Sequence, residues 1–439
     1  MSTPRTIDAS AALAGVASLG ERGAVLLAGG DASEGRRDLS EHLADFGPLP
    51  DLGADAIVAM LEQSGLVGRG GGGFPLAVKL DVARRSGADI IMIVNLSESE
   101  PASRKDATLG MLRPHLVLDG AAAVARSLAV REVTLHLHHG GGGLLRSLAA
   151  ALVEREDIFE HDPVWSISEG PARYVAGEAS AVASAVEGGP ALPRFRTHPL
   201  AVRGPSGWPT VVSNAETMAH VAAILRMGPV AWRATGPSPS AGTRLVTLAG
   251  GVASPGEVVE IIGDVTIGEL LSANGVAAIP TAVLLGGYAG TWLDGATAWG
   301  LPINDDALRS VGATLGCGLV AVVPAGRCAL AEAAQLAAYL GRESAGQCGP
   351  CVLGLPAVAE VLADLVAGNA RRRHLRGLLS ATHEIEGRGA CSHPDAAVTM
   401  VRSALGALAT DVDRHLHGQV CPDATDARVL HVPDLSGLH

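Results

Sequence analysis

Short apolar segments rich in β-branched residues alternate with amphipathic segments along the first half of the chain. The apolar segments at 89–95, 132–139 and 164–170 predict buried parallel strands. An amphipathic segment over 52–64 predicts a helix that ends at Gly65. Because strands that alternate with helices form parallel sheets, the pattern predicts an α/β domain over 46–242, preceded by an irregular lead-in over 1–45.

The pattern changes after residue 242. Residues 243–271 contain two alternating segments, a Ser-Pro-Gly turn and a short helix, which predict a small β-grasp-like module over 243–290. The apolar segment 319–326 predicts a strand within a connecting region over 291–326. Four apolar-periodic segments then predict a four-helix bundle over 327–425, with cysteines at its loops and a tail over 426–439.

Composition narrows the class of protein. The 439 residues carry a net charge of −12, which argues against a nucleic-acid partner. The sequence has no run of about 18 apolar residues and no signal-peptide pattern, so we expect no direct membrane span. Six cysteines are too few for a secreted disulfide scaffold. We therefore expect a cytoplasmic protein that meets a membrane only through a partner.

A glycine-rich segment follows the first predicted helix. Gly68 to Gly73 matches G-x-G-x-x-G, but a dinucleotide fingerprint should follow a strand, so the match is weak by itself. Five glycines would nevertheless let backbone N–H groups approach an anion or a flat ring. Lys79, one of only two lysines among 33 basic residues, follows in the next helix, within reach of a phosphate. A flexible surface loop is the plainer explanation.

Polar residues cluster after the predicted strand 89–95 and at two later helix starts. Ligands bind at the carboxyl ends of strands in open α/β sheets, so this cluster is a candidate site. Helix capping would explain the residues at the two helix starts equally well. The residues are Asn95, Glu98, Glu100 and Lys105 after the strand, then Gly177 with Glu178, and Asn214 with Thr217.

The cysteines suggest a metal site that lacks a ligand. Cys348 and Cys351 form a C-x-x-C pair, which is half of a metal site. Ala345 stands where one more turn of the same loop could supply another thiolate. Cys317 and Cys328, in a strand approach and at a helix start, are typical of buried packing residues.

Six segments, in this order and spacing, resemble the flavin-bearing, NADH-oxidising subunit of respiratory complex I and its relatives in soluble NAD-linked hydrogenases and formate dehydrogenases. The FMN loop of that family is similar to SGLVGRGGGGFPLAVK, and its other motifs are similar to NLSESEP, YVAGEASA, PTVVSNAET, ESAGQCGPC and GRGACSHPDAA. The resemblance covers roughly 45–405. It implies a flavin domain, a β-grasp module of the soluble-ligand-binding (SLBB) type and a helical iron–sulfur domain.

The resemblance implies an NAD(P)H dehydrogenase-type enzyme, in which NADH or NADPH reduces FMN and electrons then pass singly to a 4Fe–4S cluster. Carried over by position, the FMN-binding residues would be Gly68, Arg69, Gly70, Gly71, Gly73, Lys79, Asn95, Asn214 and Thr217. The flavin–nicotinamide face would be formed by Phe74, Glu98, Glu100, Gly177 and Glu178, with Glu98 and Glu178 as the catalytic residues. Cys348, Cys351 and Cys391 would bind the cluster.

The sequence also departs from the family pattern. Ser97 stands at an Asp position of the family, Ala179 at the second Glu of its G-E-E motif, and Ser213 at the first Asn of its N-N pair. Pro199 or Leu200 lies near the position of an adenine-stacking aromatic, and Phe195 is four or five residues away. The resemblance therefore supports FMN more strongly than NADH, and we expect weak selection between NADH and NADPH.

Ala345 leaves the expected cluster one thiolate short. We expect Cys421 to be the fourth ligand, on the condition that the last helix runs back or bends. His393, His415 and His417 are alternatives, since imidazole replaces thiolate in some clusters. An open iron and the absence of a cluster are the others. A zinc site on three cysteines and one histidine is the other kind of metal site that would fit.

Two functions remain open from the sequence. The first is an electron-transfer flavoprotein that passes electrons to a ferredoxin-like or membrane-bound acceptor protein. The second is a non-catalytic, divergent paralogue that acts as a ligand-binding or scaffold subunit.

Overall fold

A computed structural model describes residues 15–20, 23–28, 35–86, 89–156, 158–195, 197–426 and 428–433. The strands are β1 Val16–Leu19, β2 Ile91–Asn95, β3 Glu132–His138, β4 Val164–Gly170, β5 Thr210–Asn214, β6 Arg244–Gly250, β7 Val258–Ile261, β8 Ala282–Leu285, β9 Thr291–Asp294 and β10 Leu319–Val323.

The helices of the first half are α1 Leu39–Phe46, α2 Ala54–Ser64, α3 Leu76–Arg84, α4 Lys105–Leu112, α5 Pro114–Ser127, α6 Gly142–Arg155, α7 Ala179–Val186, α8 Ala215–Met227 and α9 Pro229–Arg233. Those of the second half are α10 Ile267–Ala273, α11 Gly295–Trp299, α12 Asp305–Ser310, α13 Ala329–Arg342, α14 Leu355–Val366, α15 Arg372–Ile385, α16 His393–Ala407 and α17 Ala409–Leu416. A short 3₁₀-helix spans Tyr174–Gly177, and a π-helical turn spans Pro350–Gly354.

The predicted α/β domain contains a four-stranded sheet in the order β4-β3-β2-β5, with all strands parallel. Alternate side chains of β2 enter opposite cores. Met92 and Val94 belong to the core that contains α5 and α8, whereas Ile93 packs with Val182 and Ala183 of α7. Because helices cover both faces of β2, its first four residues are all apolar and do not alternate with polar ones.

The register of this sheet positions the candidate site. Asn95 at the end of β2 pairs with Asn214 at the end of β5. Two side-chain amides predicted to bind a cofactor therefore lie next to each other at the carboxyl edge of the sheet. This is the edge at which ligands bind in open α/β folds.

The second sheet is larger than the predicted module over 243–290. It has six strands in the order β1-β7-β6-β10-β8-β9, and β10 lies between β6 and β8 near its centre. The region 291–326, interpreted as a connection, supplies two of these strands, and the lead-in over 1–45 supplies β1 and α1. The sequence interpretation missed this because β1 pairs with a strand more than 200 residues away.

The last third is helical, as the apolar periodicity predicts, but the last predicted helix is divided. The segment 395–418 forms α16 and α17, with a break at Leu408. The core of this region combines α13, α14, α15 and α16 with the cysteines Cys328, Cys351 and Cys421. Among the residues described, none of the helices is both long and apolar enough to cross a bilayer.

Candidate functional site

The glycine loop is a closed turn between α2 and α3. A β-bridge joins Val67 to Pro75, and the Gly68 N–H donates to the Phe74 carbonyl oxygen at 2.9 Å. Gly71 and Gly73 have φ angles of 103° and 57°, which favour glycine. A Cβ atom on Gly72 would have no atom within 4 Å. The loop therefore presents open backbone on its outer side.

The side chains below this loop hold it in place. The backbone N–H of Arg69 donates to Thr217 Oγ1 at 2.9 Å, and Thr217 in turn donates to Asn214. Asn214 donates from Nδ2 to Asp106 Oδ1 at 2.9 Å. Since Thr217 and Asn214 are buried and hydrogen-bonded within the protein, they position the loop from below. Sequence analysis did not single out Asp106, although it is the residue directly after Lys105.

Lys105 belongs to the same buried network. Its ammonium lies 2.8 Å from Asp106 and 2.9 Å from Glu216, and the residue is 1 % exposed. Lys105 is therefore a structural ion-pair partner, and the inclusion of this residue in the strand-end ligand cluster was wrong.

Arg69 is buried beneath the loop, and part of its guanidinium makes no hydrogen bond within the described residues. One guanidinium nitrogen donates to the Ala241 carbonyl oxygen at 2.8 Å. Nε and the other terminal nitrogen have no hydrogen-bond partner among the described residues. Because the backbone N–H of Arg69 is bound to Thr217, this residue also fastens the loop to α8.

Lys79 lies in the wall of a cavity. Its ammonium donates to the Val212 carbonyl oxygen at 2.9 Å, and no carboxylate lies within 4.0 Å in the described part of the chain. Burial lowers the pKa of this ammonium below its ordinary value. A partly buried cation without an acidic partner fits an anionic ligand such as the phosphate of a flavin nucleotide.

Asn95 links two loops at the carboxyl edge of the sheet. Its Nδ2 donates to the Gly177 carbonyl oxygen at 3.2 Å, and its Oδ1 accepts from the Ser97 N–H at 3.0 Å. A Cβ on Gly177 would lie 2.4 Å from Ser99 Oγ, so only glycine fits there. Asn95 and Gly177 therefore fix the approach of the 95–99 loop to the 174–178 turn.

The three predicted glutamates occupy different environments. Glu98 accepts from Ser103 Oγ at 2.5 Å and from the Ala107 N–H at 2.9 Å, so it braces the start of α4. Glu178 accepts from the Ser180 N–H at 2.8 Å and is the N-cap of α7. These contacts orient both carboxylates.

Glu100 is the third glutamate and points to the second sheet. Its Oε2 accepts from the Tyr288 N–H at 2.7 Å, and its Oε1 has no partner in the described residues. Burial raises the pKa of this carboxyl to about 8, against the opposing effect of the Tyr288 and Ala102 N–H groups. Glu100 thus lies at the junction of the two sheets, and its place at a flavin–nicotinamide face stays a prediction.

A cavity of about 870 Å³ connects the glycine loop to the cysteine region. This size is within the range of small-molecule sites. Gly72, Phe74 and Lys79 line one part of it, and Gly389 and Cys391 line another. The remaining wall includes Glu178, Ala179, Arg194, Phe195, His198, Pro199, Leu200 and Val212.

A second cavity, of about 310 Å³, is lined by Glu98 and Gly177 together with Arg104, Tyr288 and the C-terminal residues Val429, His431 and Pro433. The two predicted catalytic carboxylates, Glu98 and Glu178, therefore line different cavities. The Gly177–Glu178 turn contributes to the walls of both.

Three cysteines interact with one another beyond the carboxyl end of α13. Burial and the neighbouring sulfurs of Cys348 and Cys391 raise the pKa of the Cys351 thiol to about 12. Burial also acts on Cys348, but N–H groups of Ala390 and Cys351 outweigh it and hold the pKa of that thiol below its ordinary value. The hydroxyl of Ser344, beside Ala345, acts in the opposite direction and lowers the pKa of the Cys351 thiol.

Cys421 does not join these three cysteines, so its predicted role as the fourth cluster ligand is wrong. Its sulfur lies 3.3 Å from Nε2 of His415, which is also 3.7 Å from the sulfur of Cys328. Cys328 precedes α13, whereas Ser344 follows it. A 14-residue helix is about 21 Å long, so the two sites are at opposite ends of α13.

His393 and His417, two of the alternative cluster ligands, form hydrogen bonds to backbone carbonyl groups. His393 Nε2 donates to the Leu340 carbonyl oxygen at 2.9 Å, and His417 Nδ1 donates to the Asp413 carbonyl oxygen at 2.8 Å. Cys317 donates to the Gly286 carbonyl oxygen at 3.3 Å in the second sheet. The described residues thus offer three thiolates for a cluster, with Ser344 beside them.

Comparisons with known proteins identify two regions of the chain. Residues 61–223 match the family described as the Nuo51 FMN-binding domain, and residues 331–415 match the NADH-ubiquinone oxidoreductase-F iron-sulfur binding region. An NADH-quinone oxidoreductase subunit of Streptomyces coelicolor is 28% identical over 389 residues, which are 84% of this chain and 85% of that protein. The corresponding protein of Rhizobium meliloti is 28% identical over 90% of this chain and 96% of its own length.

A solved NAD⁺-reducing [NiFe]-hydrogenase in the H₂-reduced state has the same architecture. The TM-score is 0.76 at 31% identity, and the match covers 84% of this chain and 63% of that one. An NAD⁺-reducing [NiFe]-hydrogenase in the air-oxidised state gives a TM-score of 0.74 at 30% identity.

Fold, glycine loop and cysteine region together define an NADH dehydrogenase-type oxidoreductase subunit. Residues 61–223 and 331–415 match the family's FMN-binding domain and iron–sulfur region, and the chain has FMN and a 4Fe–4S cluster as its cofactors.

Proposed function

We propose that the chain transfers electrons from a reduced nicotinamide nucleotide, through FMN and the cluster, to a protein acceptor. The observation that supports this most directly is the lining of the large cavity, which contains Lys79 of the glycine-loop region and Cys391 of the cysteine trio. A small molecule in this cavity would lie between Lys79, which would bind its phosphate, and Cys391, which would bind the cluster.

FMN would supply the exchange between two-electron and one-electron chemistry. In our proposal, Lys79 binds its phosphate, and the open backbone of Gly70 to Gly73 approaches the nucleotide. Arg69, Asn95, Asn214 and Thr217 then position this wall from behind. Gly177 allows the close loop contact that brings Glu178 to the cavity.

Phe195 is a candidate for the nucleotide-stacking aromatic that the sequence pattern placed at Pro199 or Leu200. Its side chain is 75% exposed, and it lines the same cavity as Phe74, which is 51% exposed. An exposed aromatic at a ligand cavity can stack on a planar base. Phe195 would thus replace the aromatic that the family pattern places further along the chain.

The cluster would be bound by Cys348, Cys351 and Cys391. The fourth iron would have no cysteine from this chain, and the Ser344 hydroxyl is the protein oxygen next to Cys351. Val352 and Leu353, which follow Cys351 directly, are 53% and 73% exposed. We propose that this apolar pair contacts the acceptor, a ferredoxin-like or membrane-bound iron–sulfur protein.

The test is anaerobic purification followed by assays of flavin, iron and sulfide and of NADH oxidation with an artificial acceptor. We expect a yellow-brown protein that releases FMN on heating and oxidises NADH. A colourless protein that binds neither FMN nor iron after reconstitution would contradict the proposal and favour the scaffold function.

A further inference from the structure

A second group of metal-ligand residues lies outside the flavin and cluster sites. Cys328, His415 and Cys421 are 3%, 0% and 7% exposed, and their sulfur and nitrogen atoms all lie within 4.8 Å of one another. They come from the residue before α13, from α17 and from the loop after α17. We propose that these three residues bind a zinc ion that fastens the C-terminal segment to the helical domain.

The distances match tetrahedral zinc. Zn–S bonds of about 2.3 Å and Zn–N bonds of about 2.05 Å, at a tetrahedral angle, place a sulfur and a nitrogen about 3.6 Å apart. Nε2 of His415 lies 3.7 Å from Cys328 Sγ and 3.3 Å from Cys421 Sγ. Both distances thus differ from the tetrahedral value by only a few tenths of an ångström, and the two sulfurs lie within 4.8 Å of each other.

The imidazole is oriented as a metal ligand. His415 Nδ1 lies 2.9 Å from the carbonyl oxygen of Val366, and a carbonyl oxygen can only accept, so Nδ1 carries the proton. Nε2 therefore carries the lone pair, which lies beside the two sulfurs and also accepts the backbone N–H of Cys421 at 3.3 Å, a contact that the metal would replace. A hydrogen bond from the second ring nitrogen to a backbone carbonyl is the usual support of a zinc-binding histidine.

The surroundings favour a divalent, thiophilic ion. Two thiolates balance the charge of Zn²⁺, so the occupied site has no net charge in its buried position. Cys328 is the N-cap residue of the 14-residue helix α13. Asp423 brings a carboxylate beside the site, since its Oδ2 accepts the Cys328 N–H at 2.8 Å. Two sulfurs and one imidazole are a set of donor atoms typical of zinc.

The site has a structural consequence for the segment that follows Cys421. The N–H groups of Val429 and Leu430 donate to Glu332 of α13 at 2.9 and 3.2 Å. The hydroxyl of Tyr288 donates to the His431 carbonyl oxygen. Val429 and His431 also line the smaller cavity, beside Glu98. Zinc would therefore fix the start of a segment that closes one wall of that cavity.

The experiment measures zinc and iron separately in the full-length protein, purified anaerobically from zinc-containing medium. We expect about one zinc per chain in the wild type. The Cys421→Ser variant should lose this zinc and keep its iron, whereas Cys317→Ser, which alters a cysteine of the second sheet, should keep both. Trypsin should cleave Cys421→Ser after Arg428 faster than it cleaves the control.

A measurement on the wild type avoids any folding defect of the variant. X-ray absorption at the zinc edge should show two Zn–S distances of about 2.3 Å and Zn–N/O distances of about 2.0–2.1 Å. Absence of zinc, with no uptake after zinc is added to the reduced protein, would overturn the proposal. A Cys328–Cys421 disulfide in the anaerobically purified protein, or zinc that Cys421→Ser retains in full, would overturn it as well.

Discussion

Replacement of Lys79 by methionine is the sharpest test of the flavin site. Methionine keeps much of the side-chain length and removes the charge. The ammonium of Lys79 has a backbone carbonyl at 2.9 Å as its hydrogen-bond acceptor, and burial lowers its pKa. A cation in this environment costs the protein stability unless an anion binds next to it. The change should therefore weaken FMN binding without destabilising the flavin-free protein.

The size of the effect follows from one charge-assisted hydrogen bond. Such a bond contributes about 1.5–3 kcal/mol, and about 1.4 kcal/mol corresponds to a tenfold change in affinity. Lys79→Met should thus raise the Kd for FMN roughly 10- to 150-fold. The melting temperature of the flavin-free variant should equal or exceed that of the flavin-free wild type.

The assay is a fluorescence titration of FMN into flavin-free protein. Arg85→Met is the matched control, because Arg85 carries the same charge just after α3 but pairs with Asp81 on the surface. We expect the control to bind FMN as the wild type does. If Lys79→Met and Arg85→Met bind FMN equally well, the assignment of Lys79 to the phosphate is wrong.

Three other changes test separate parts of the account. Ala345→Cys should raise the iron content per chain, measured after anaerobic reconstitution, because it supplies the missing thiolate; unchanged iron would count against a cluster with an open position. Glu100→Gln should raise the melting temperature at pH 8 and change it little at pH 5. The pKa of this carboxyl is about 8 in the folded protein and 4.5 in the unfolded chain, so the wild type loses stability as the pH rises between these two values. Equal shifts of the melting temperature at both pH values would contradict this. Ala179→Glu should lower the KM for NADH on the order of tenfold through one charge-assisted hydrogen bond, with little effect on NADPH; steady-state kinetics with both nucleotides would refute it if neither KM changed.

Local patterns in the sequence were enough to predict the strands β2, β3 and β4 and most of the C-terminal helices. β2 has a continuous apolar run, β3 and the edge strand β4 have apolar residues at alternating positions, and each helix has an apolar stripe of its own. Strand β1 could not be predicted in this way, because its four residues are stabilised by pairing with β7. The central place of β10 in the second sheet depends in the same way on distant partners.

The candidate site was predicted in part for a similar reason. Sequence motifs identify the glycine loop and Lys79, but they do not show that Asn214 and Thr217 use their hydrogen bonds beneath the loop. The grouping of Cys328 with Cys421 was hidden by their separation along the chain and by the break at Leu408, which redirects the last helix. Phe195 is four or five residues from the aromatic position of the motif, and only the shape of the cavity brings it to the wall that we propose binds the nucleotide.

The central claim is that one cavity joins the nucleotide site to the cysteine trio, and anaerobic titration with NADH tests it most directly. The flavin absorbance of the purified protein, and the EPR signal of its cluster, are recorded as NADH is added. We predict that the flavin bleaches and that a reduced-cluster signal appears, and that Cys391→Ser abolishes the cluster signal but keeps the bleaching. Flavin that NADH does not bleach, in a protein with full FMN and iron content, would contradict the account.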